Sequence, residues 1–286
     1  MKQGSASSIR AALKKIADKE NIDFQILVIR YLHERLLYRL SLSPHQPNFF
    51  LKGGALIYAI EGLHVRPTMD IDLLASKISN DKGEMKDVFR SVNSISYEAD
   101  CVVFDSENIV VSEIKEQDKY SGLRVHIDAC FDTIRQKIQI DIGFTDIISP
   151  APMILEYPVL MEEFEKPVIR AYSIETVIAE KFHAMIALNT FNSRMKDFYD
   201  VYILLKNNTI DNNSLQEAID KTFRQRNTVF VENHELFTNS FCENKNRQIM
   251  WKAFLRKIRI SEELDFSNVM NTIVQRLYPI YKNILK

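Results

Sequence analysis

Two aspartates, Asp70 and Asp72, are the first residues in this sequence whose types and spacing could do chemistry. The segment MDIDLL alternates apolar and acidic residues, which predicts a β-strand with both carboxylates on the same face. Side chains at positions i and i+2 of a strand start roughly 6.5–7 Å apart and point the same way. Two carboxylates at that spacing can bind a divalent cation together. The alternative interpretation is a polar strand face at the protein surface.

A third candidate carboxylate, Asp141, lies in another alternating segment, QKIQIDIGF. Isoleucines form the apolar face of this predicted strand, and Asp141 lies on its polar face with Gln139. If the strand lies beside that of Asp70 and Asp72, three carboxylates meet, and such a triad can hold one or two Mg²⁺ ions against a nucleoside triphosphate. The alternative is an exposed aspartate on an edge strand.

A pair of glycines upstream could bind the phosphates of such a ligand. Gly53 and Gly54 follow Lys52 and lead into a predicted helix, ALIYAIEG. Glycine lets backbone N–H groups approach a phosphate closely, and a helix N-terminus favours negative charge. A Gly-Gly pair alone is more often a turn, but here the glycines and the helix are followed in order by Arg66, Thr68, Asp70 and Asp72. We expect Arg66 to contact phosphate or to pair with one of these aspartates.

The elements that must position these residues follow from the periodicity of the apolar residues. Alternation predicts a short strand before the Gly-Gly helix, a strand after it, and two further strands between Gly122 and Phe144. Ser7 or Ser8 is the predicted N-cap of the first helix, and the proline-containing stretch 150–167 is predicted to be a connector. Helical spacing predicts helices over residues 6–19, 22–42 and 80–96.

The pattern changes from Val168 onwards, where a short predicted strand is followed by segments with helical periodicity. We therefore predict the α+β fold class, with an all-helical second half. The predicted domains are residues 1–165, which include the N-terminal helices, and residues 166–286, which we expect to complete the active-site cleft.

Composition excludes several classes of protein. The hydrophobic fraction of 46% and the charged fraction of 26% are typical of a folded chain. No apolar run approaches the roughly 20 residues that a membrane helix needs. The three cysteines lie far apart without a CxxC pair, which suits a reducing compartment and argues against a structural zinc site. Because its start lacks a secretory signal, we expect a cytoplasmic protein with no membrane partner.

Charge is distributed unevenly along the chain. The formal net charge is +4 over residues 1–40 and +5 over residues 243–286, whereas the residues between them carry −10. An acidic centre between basic ends fits a metal site beside surfaces that could hold a polyanion. The alternative is that amphipathic helices at both ends simply have basic solvent-facing sides.

The second half contains its own charged residues at helical spacing. In VIAEKFHAMI, Lys181 flanks the apolar stripe, so that its stem can pack while its ammonium reaches into a cleft. In RMKDFYDVY, Asp197 and Asp200 lie on one face of the next predicted helix. These residues could form a structural ion pair between helices. They could also act together on a substrate, with Lys181 neutralising triphosphate charge and an aspartate positioning either the lysine or the substrate hydroxyl.

Several blocks of this sequence together resemble a known family. They are LKGGALIYAIEGLHVRPTMDIDLL at 51–74, YSIETVIAEKFHAMI at 172–186, SRMKDFYDVYILL at 193–205 and TFRQRNT at 222–228. The chain resembles the nucleotidyltransferase toxins of the AbiEii/AbiGii type, a branch of the DNA polymerase β-like nucleotidyltransferase superfamily. The resemblance spans most of residues 49–257, and it implies a mixed sheet with flanking helices followed by an all-helical domain.

The resemblance also implies roles for individual residues. Asp70 and Asp72 would bind metal, and Asp141 would be the third metal ligand. Lys181 matches a family lysine, and the implied catalytic residues are Asp70, Asp72, Lys181, Asp197 and Asp200. The resemblance implies that Gly53 and Gly54 contact the nucleotide phosphates, and the full set of predicted nucleotide-binding residues is Lys52, Gly53, Gly54, Arg66, Thr68, Lys181 and Lys196.

The activity that the resemblance implies is the transfer of a nucleoside monophosphate from an NTP to an RNA end, with tRNA as the favoured acceptor. Mg²⁺ would be the cofactor, with Mn²⁺ as the alternative ion, and the outcome would be a growth block opposed by a cognate antitoxin protein. Two alternatives remain open. One is a nucleotide-binding regulator without transfer activity, and the other is a kinase-like enzyme that transfers a phosphoryl or nucleotidyl group to protein.

Overall fold

The computed structural model describes residues 5–114, 122–146, 148–189, 193–260 and 264–285. The chain forms two compact units. The first comprises Met1–Thr145 and Met153–Ala171, and the second comprises Asp146–Pro152 and Tyr172–Lys286. The sequence pattern predicts a division between residues 165 and 166. The structure includes the following strand, Val168–Ala171, in the first unit because that strand pairs within its sheet.

The first unit is an α+β unit, as the sequence predicts. Its helices are α1 (Ala6–Glu20), α2 (Phe24–Leu42), α3 (Gly53–Glu61) and α4 (Lys82–Asn93). Its strands are β1 (Phe49–Lys52), β2 (Asp70–Ala75), β3 (Val102–Phe104), β4 (Val110–Ile114), β5 (Gly122–Phe131), β6 (Ile134–Gly143), β7 (Met153–Glu156) and β8 (Val168–Ala171).

These strands form one mixed sheet of eight strands in the order β3-β5-β6-β2-β1-β8-β7, with β4 paired to β5. Strand β6 runs parallel to β2, and β1 runs parallel to β8. The remaining pairs are antiparallel. Both long strands, β5 and β6, alternate between buried and exposed residues, because one face packs on the core and the other is polar.

Helix α2 is buried on all sides from Leu27 to Leu40. Its charged residues therefore need internal partners. Arg39 donates hydrogen bonds to both carboxylate oxygens of Asp100, at 2.7 and 3.2 Å. Arg30 donates to the Leu63 carbonyl at 2.8 Å. These contacts fix α2 to distant parts of the chain, and its sequence pattern alone does not reveal them.

Two local predictions about the first unit are wrong. The N-cap of α1 is Ser5, whose hydroxyl accepts a hydrogen bond from the Ser8 N–H at 3.2 Å, and not Ser7 or Ser8. The stretch 150–167 is not only a connector, because it contains β7, which pairs with β8. A strand of four residues is too short to stand out by alternation, and its pairing partner determines it.

The regular secondary structure in the described residues of the second unit consists of helices alone, as predicted. Its helices are α5 (Ile174–Leu188), α6 (Met195–Asn207), α7 (Asn212–Gln225), α8 (Asn239–Glu243), α9 (Lys245–Ile258) and α10 (Phe266–Leu285). Aromatic side chains form much of its core. Phe182 packs against Phe223 with 5.6 Å between ring centroids, and Trp251 packs against Phe266 at 5.4 Å.

The segment Asp146–Pro152 belongs to this helical unit because polar contacts hold it there. Arg226 donates to Asp146 at 3.0 Å and to Glu180 of α5 at 3.2 Å. The Thr176 hydroxyl donates to the Ser149 carbonyl at 2.7 Å. Among the described residues, no helix combines the length and the apolar character needed to cross a bilayer.

Candidate active site

Asp70, Asp72 and Asp141, here called the aspartate triad, meet on the polar face of the sheet. Strands β2 and β6 are parallel neighbours, and their register pairs Asp72 with Asp141 and Asp70 with Gln139. One carboxylate oxygen of each aspartate lies within 4.8 Å of the other two, and all three side chains are partly exposed. Strand β6 lies inside the sheet, so the edge-strand alternative for Asp141 is wrong.

The donor set of this triad fits a divalent cation. Carboxylate oxygens are the hard ligands that Mg²⁺ and Mn²⁺ prefer. Opposite ligands of Mg²⁺ lie about 4.2 Å apart, so small side-chain shifts would bring the three oxygens around one ion. Without a cation, three like charges at this spacing repel one another.

The start of helix α3 approaches the triad at Gly53. This residue has a φ of +63°, in the left-handed region that favours glycine. A Cβ atom at Gly53 would lie 1.9 Å from the Asp72 Oδ2 atom, and one at Gly54 would lie 2.5 Å from the Thr68 Oγ1 atom. Lys52 lies opposite Asp72 in the β1–β2 register. The two glycines thus allow the backbone to pass directly against residues of the site.

Thr68 orients one member of the triad. Its hydroxyl donates a hydrogen bond to the Asp70 Oδ1 atom at 2.7 Å. Arg66 donates a long hydrogen bond to the Pro67 carbonyl, at 3.5 Å. The contacts of these residues with a nucleotide, like those of Lys52, remain predictions.

Arg124 is a member of this site that sequence reasoning missed. It lies on β5 directly opposite Asp141, and its guanidinium binds that carboxylate through two hydrogen bonds, Nε to Oδ1 at 2.8 Å and Nη2 to Oδ2 at 2.7 Å. The Gln139 amide also donates to both oxygens, at 3.2 and 3.3 Å. The hydrogen bonds with Asp141 raise the pKa of Arg124, and the charges of all three triad aspartates act in the same direction.

The turn between β5 and β6 determines which residues of the two strands pair. Strands β5 and β6 are joined through Asp132 and Thr133, which form a two-residue hairpin connection. Such a connection fixes the register of the strands on either side, so Phe131 pairs with Ile134 and, further along, Arg124 pairs with Asp141. A turn at this position therefore places Arg124 opposite Asp141.

A second cluster of predicted residues forms in the helical unit, where α5 packs on α6. The Lys181 Nζ atom lies 3.0 Å from the Asp197 Oδ1 atom and 2.7 Å from the Asp200 Oδ2 atom. Both aspartate side chains are fully buried, and that of Lys181 is 11% exposed. Arg194 also contacts Asp197, at 2.8 Å. Lys196 is exposed on α6. The structural ion pair considered from the sequence is therefore present.

Lys181→Met should lower the free energy of unfolding by about 3 kcal/mol, because it leaves two buried carboxylates without this cation. The matched control is Lys221→Met, which removes an exposed lysine paired with Glu217 in the same unit. An exposed pair contributes only about 0.2–1 kcal/mol. Urea unfolding of both variants measures the difference. Equal losses in the two variants would contradict a stabilising role for the buried cluster.

Comparison with known proteins identifies the family. The family model described as "Nucleotidyl transferase AbiEii toxin, Type IV TA system" matches residues 35–272. Among solved structures, JHP933 from Helicobacter pylori has the same fold, with a TM-score of 0.52 and 15% sequence identity over 91% of this chain and 93% of that chain. No curated protein sequence matches the chain.

Two further solved structures are similar at lower TM-scores. One is a protein from H. pylori provisionally named as a nucleotidyltransferase, with a TM-score of 0.48, 16% identity and coverage of 92% and 97% of the two chains. The other is an antigenic nucleotidyltransferase-like protein from Paracoccidioides brasiliensis, with a TM-score of 0.34, 12% identity and coverage of 93% and 92%. The family match includes the aspartate triad and both glycines. It also includes Lys181, Asp197 and Asp200, here called the Lys181 cluster. The chain therefore belongs to the AbiEii family of nucleotidyl transferase toxins of type IV toxin–antitoxin systems.

Proposed function

We propose that this protein transfers a nucleoside monophosphate from an NTP to the end of an RNA, with tRNA as the acceptor, and that Mg²⁺ is the cofactor. The observation that carries the proposal is the meeting of Asp70, Asp72 and Asp141 beside Gly53, within the region that matches the family. The family implies a nucleotide substrate and an antitoxin partner. We further propose that the modified RNA blocks growth until the antitoxin counteracts the enzyme.

The residues of the first unit have distinct tasks in this reaction. A cation bound by the triad would act as a Lewis acid on the triphosphate and lower the pKa of the acceptor hydroxyl. Thr68 fixes the orientation of the Asp70 carboxylate. Because Gly53 and Gly54 have no side chains, the backbone N–H groups at the N-terminus of α3 can donate hydrogen bonds to phosphate oxygens. The acceptor hydroxyl releases its proton to solvent as its oxygen attacks the α-phosphorus in line, the bond from the α-phosphorus to the α,β-bridging oxygen breaks, and pyrophosphate leaves with that oxygen.

The helical unit contributes the Lys181 cluster to the proposal. We assign Lys181 the task of neutralising triphosphate charge, with Asp197 and Asp200 fixing its ammonium, and Lys196 the task of a further nucleotide contact. Lys181→Ala should raise the KM for NTP while the Kd for tRNA stays unchanged, measured at a temperature at which the variant is folded. A change in the Kd for tRNA alone would remove Lys181 from nucleotide binding.

One labelling experiment distinguishes this function from its alternatives. The purified protein is incubated with Mg²⁺ and total tRNA, and with each of the four NTPs labelled in turn at the α- or the γ-phosphorus. The proposed transfer puts α-label into tRNA. Label from the γ-position in protein would instead support a kinase-like enzyme, and binding without any incorporation would support a nucleotide-sensing regulator. Replacing Mg²⁺ with Mn²⁺ in the same assay tests the alternative cofactor.

A basic helix surface could hold the RNA acceptor. Helix α9 contains no acidic residue, and its exposed side chains include Lys245, Lys252, Arg256 and Lys257. Such a surface attracts the phosphates of RNA and releases their counterions on binding. The N-terminal helix α1 is the other basic candidate, but its Arg10 already pairs with Asp132 at 3.0 Å. We therefore assign the main RNA contact to α9.

Lys252→Gln and Arg256→Gln should each weaken tRNA binding severalfold and make it less sensitive to salt, because each removes a phosphate contact. The control is Arg224→Gln, since Arg224 is an exposed helical arginine of the same unit whose charge is already matched by Asp220 at 2.8 Å. Fluorescence anisotropy with labelled total tRNA at several salt concentrations measures both effects. An equal loss of affinity in all three variants would exclude a specific contribution from α9.

A further inference from the structure

Arg124 binds the carboxylate of Asp141, which a cation at the triad would also bind. Its guanidinium takes both oxygens of Asp141, at 2.8 and 2.7 Å, in the two-point geometry that makes arginine–carboxylate pairs strong. The pair is formed across two neighbouring strands and is only partly shielded, with 38% of the Arg124 side chain exposed. The arginine is thus held by Asp141 but has a path toward solvent.

The charges around this pair favour Arg124 when no cation is bound. The three aspartates are mutually repulsive, and the guanidinium offsets one of their charges. A divalent cation that binds Asp141 must compete with at least one of these hydrogen bonds, and it repels the neighbouring guanidinium. Gln139, which is neutral, can remain on Asp141 in either state because its amide donates to the same oxygens. Asp141 therefore keeps the Gln139 amide as a hydrogen-bond donor when Arg124 is displaced.

The displaced guanidinium would need a new anionic partner. A nucleoside triphosphate brings several negative charges to the same face of the sheet, and arginine binds phosphate oxygens as readily as carboxylates. A cation that arrives alone supplies no such partner. Cation binding and triphosphate binding should consequently favour each other at this site.

We propose that Arg124 is an internal counterion of the aspartate triad that holds Asp141 until a divalent cation arrives together with a triphosphate, and that its released guanidinium then binds the phosphates. This inference rests on the proposed function, because it takes the triad as the cation site. It makes Arg124 a residue that couples the two ligands and suppresses binding of the cation alone.

The test measures binding of Mn²⁺, a Mg²⁺ substitute that is visible by electron paramagnetic resonance. Affinity is determined for Mn²⁺ alone and in the presence of the α,β-methylene analogues of ATP, CTP, GTP and UTP. In Arg124→Gln, we expect Mn²⁺ alone to bind about tenfold more tightly, whereas the enhancement by the analogue falls about tenfold. Arg124→Lys, which keeps the charge but not the two-point contact, should lie between Arg124→Gln and the unchanged protein.

Lys137→Gln is the matched control. Lys137 pairs with Asp128 across the same two strands and on the same face, at 3.6 Å, four residues along β6 from Asp141. This variant should leave both Mn²⁺ affinities unchanged. Circular dichroism of each variant serves as the check that it is folded.

Unchanged or weaker binding of Mn²⁺ alone in Arg124→Gln would overturn the counterion role. If Arg124 only orders Asp141, its replacement disorders that carboxylate and does not increase the affinity of the site for Mn²⁺. The proposed function fails in a different way. If Asp72→Asn binds Mn²⁺ as tightly as the unchanged protein, the triad is not the cation site, whatever Arg124 does. The two failures are therefore distinguishable in the same binding experiment.

Discussion

Asp72→Asn should lower the rate of nucleotide transfer by about a thousandfold or more while the protein remains folded. Asp72 lies opposite Asp141 in the β2–β6 register and directly against Gly53, so it is central to the triad. The Lewis-acid contribution of a bound cation amounts to several kcal/mol, and about 4 kcal/mol corresponds to a thousandfold in rate. An amide of the same shape keeps the packing, and it removes one of three mutually repulsive charges.

The measurement is the initial rate of α-label incorporation at saturating NTP and Mg²⁺, with thermal unfolding as the check on folding. Asp128→Asn is a suitable control. Asp128 is also an aspartate on the polar face of the sheet, but it is exposed and pairs with Lys137 instead of belonging to the triad. If Asp72→Asn keeps a tenth of the activity or more, the triad does not hold the catalytic cation.

Alternation was enough to predict which face of each strand carries the aspartates. In β2 and β6 the apolar residues occupy every second position, so the side on which Asp70, Asp72 and Asp141 lie follows from the sequence. Adjacency of the two strands did not follow. In the described residues, helix α4 and strands β3, β4 and β5 lie between β2 and β6 in the chain, and the pairing of β2 with β6 depends on how the whole sheet assembles.

The short connection between β5 and β6 determines the register of this hairpin. The two-residue connection at Asp132–Thr133 sets every pair along β5 and β6, including Arg124 with Asp141. The buried charges of α2 are the opposite case. Arg39 finds its partner Asp100 sixty-one positions away, and no spacing within the helix indicates it. Short-range register can be derived from sequence, whereas the partner of a buried charge depends on tertiary packing.

The helical unit shows the same limit at a functional cluster. Helical periodicity placed Asp197 and Asp200 on one face of a helix, and both are present on α6. The sequence leaves open whether they form a structural ion pair with Lys181 or act with it on a substrate. The distance from the Lys181 ammonium to each carboxylate is defined only once α5 packs on α6. The ion pairs now explain the burial of both aspartates. The KM of Lys181→Ala for NTP distinguishes a lysine that contacts nucleotide from one that only stabilises the fold.

Gly53→Ala should reduce activity by at least about a hundredfold and also destabilise the fold by about 2–4 kcal/mol. The left-handed φ of +63° at Gly53 is unfavourable for alanine, and the added Cβ would collide with Asp72. Rotation of the aspartate side chain cannot relieve the collision, since the Asp72 Cβ atom itself would be only 2.8 Å away. The backbone must therefore move, and the triad loses its geometry.

Gly62→Ala separates the collision from the backbone conformation. Gly62 also has a positive φ, of +86°, at the end of the same helix, but a Cβ atom there would meet no other atom within 4 Å. With a ψ of −163°, Gly62 adopts a backbone conformation that is nearly exclusive to glycine, so this variant should lose about 1–3 kcal/mol of stability and keep its activity. Urea unfolding and the α-label assay on both variants test the comparison. Equal activity in the two would mean that the close approach of α3 to Asp72 is not needed for catalysis, and Gly53 would then serve the fold alone.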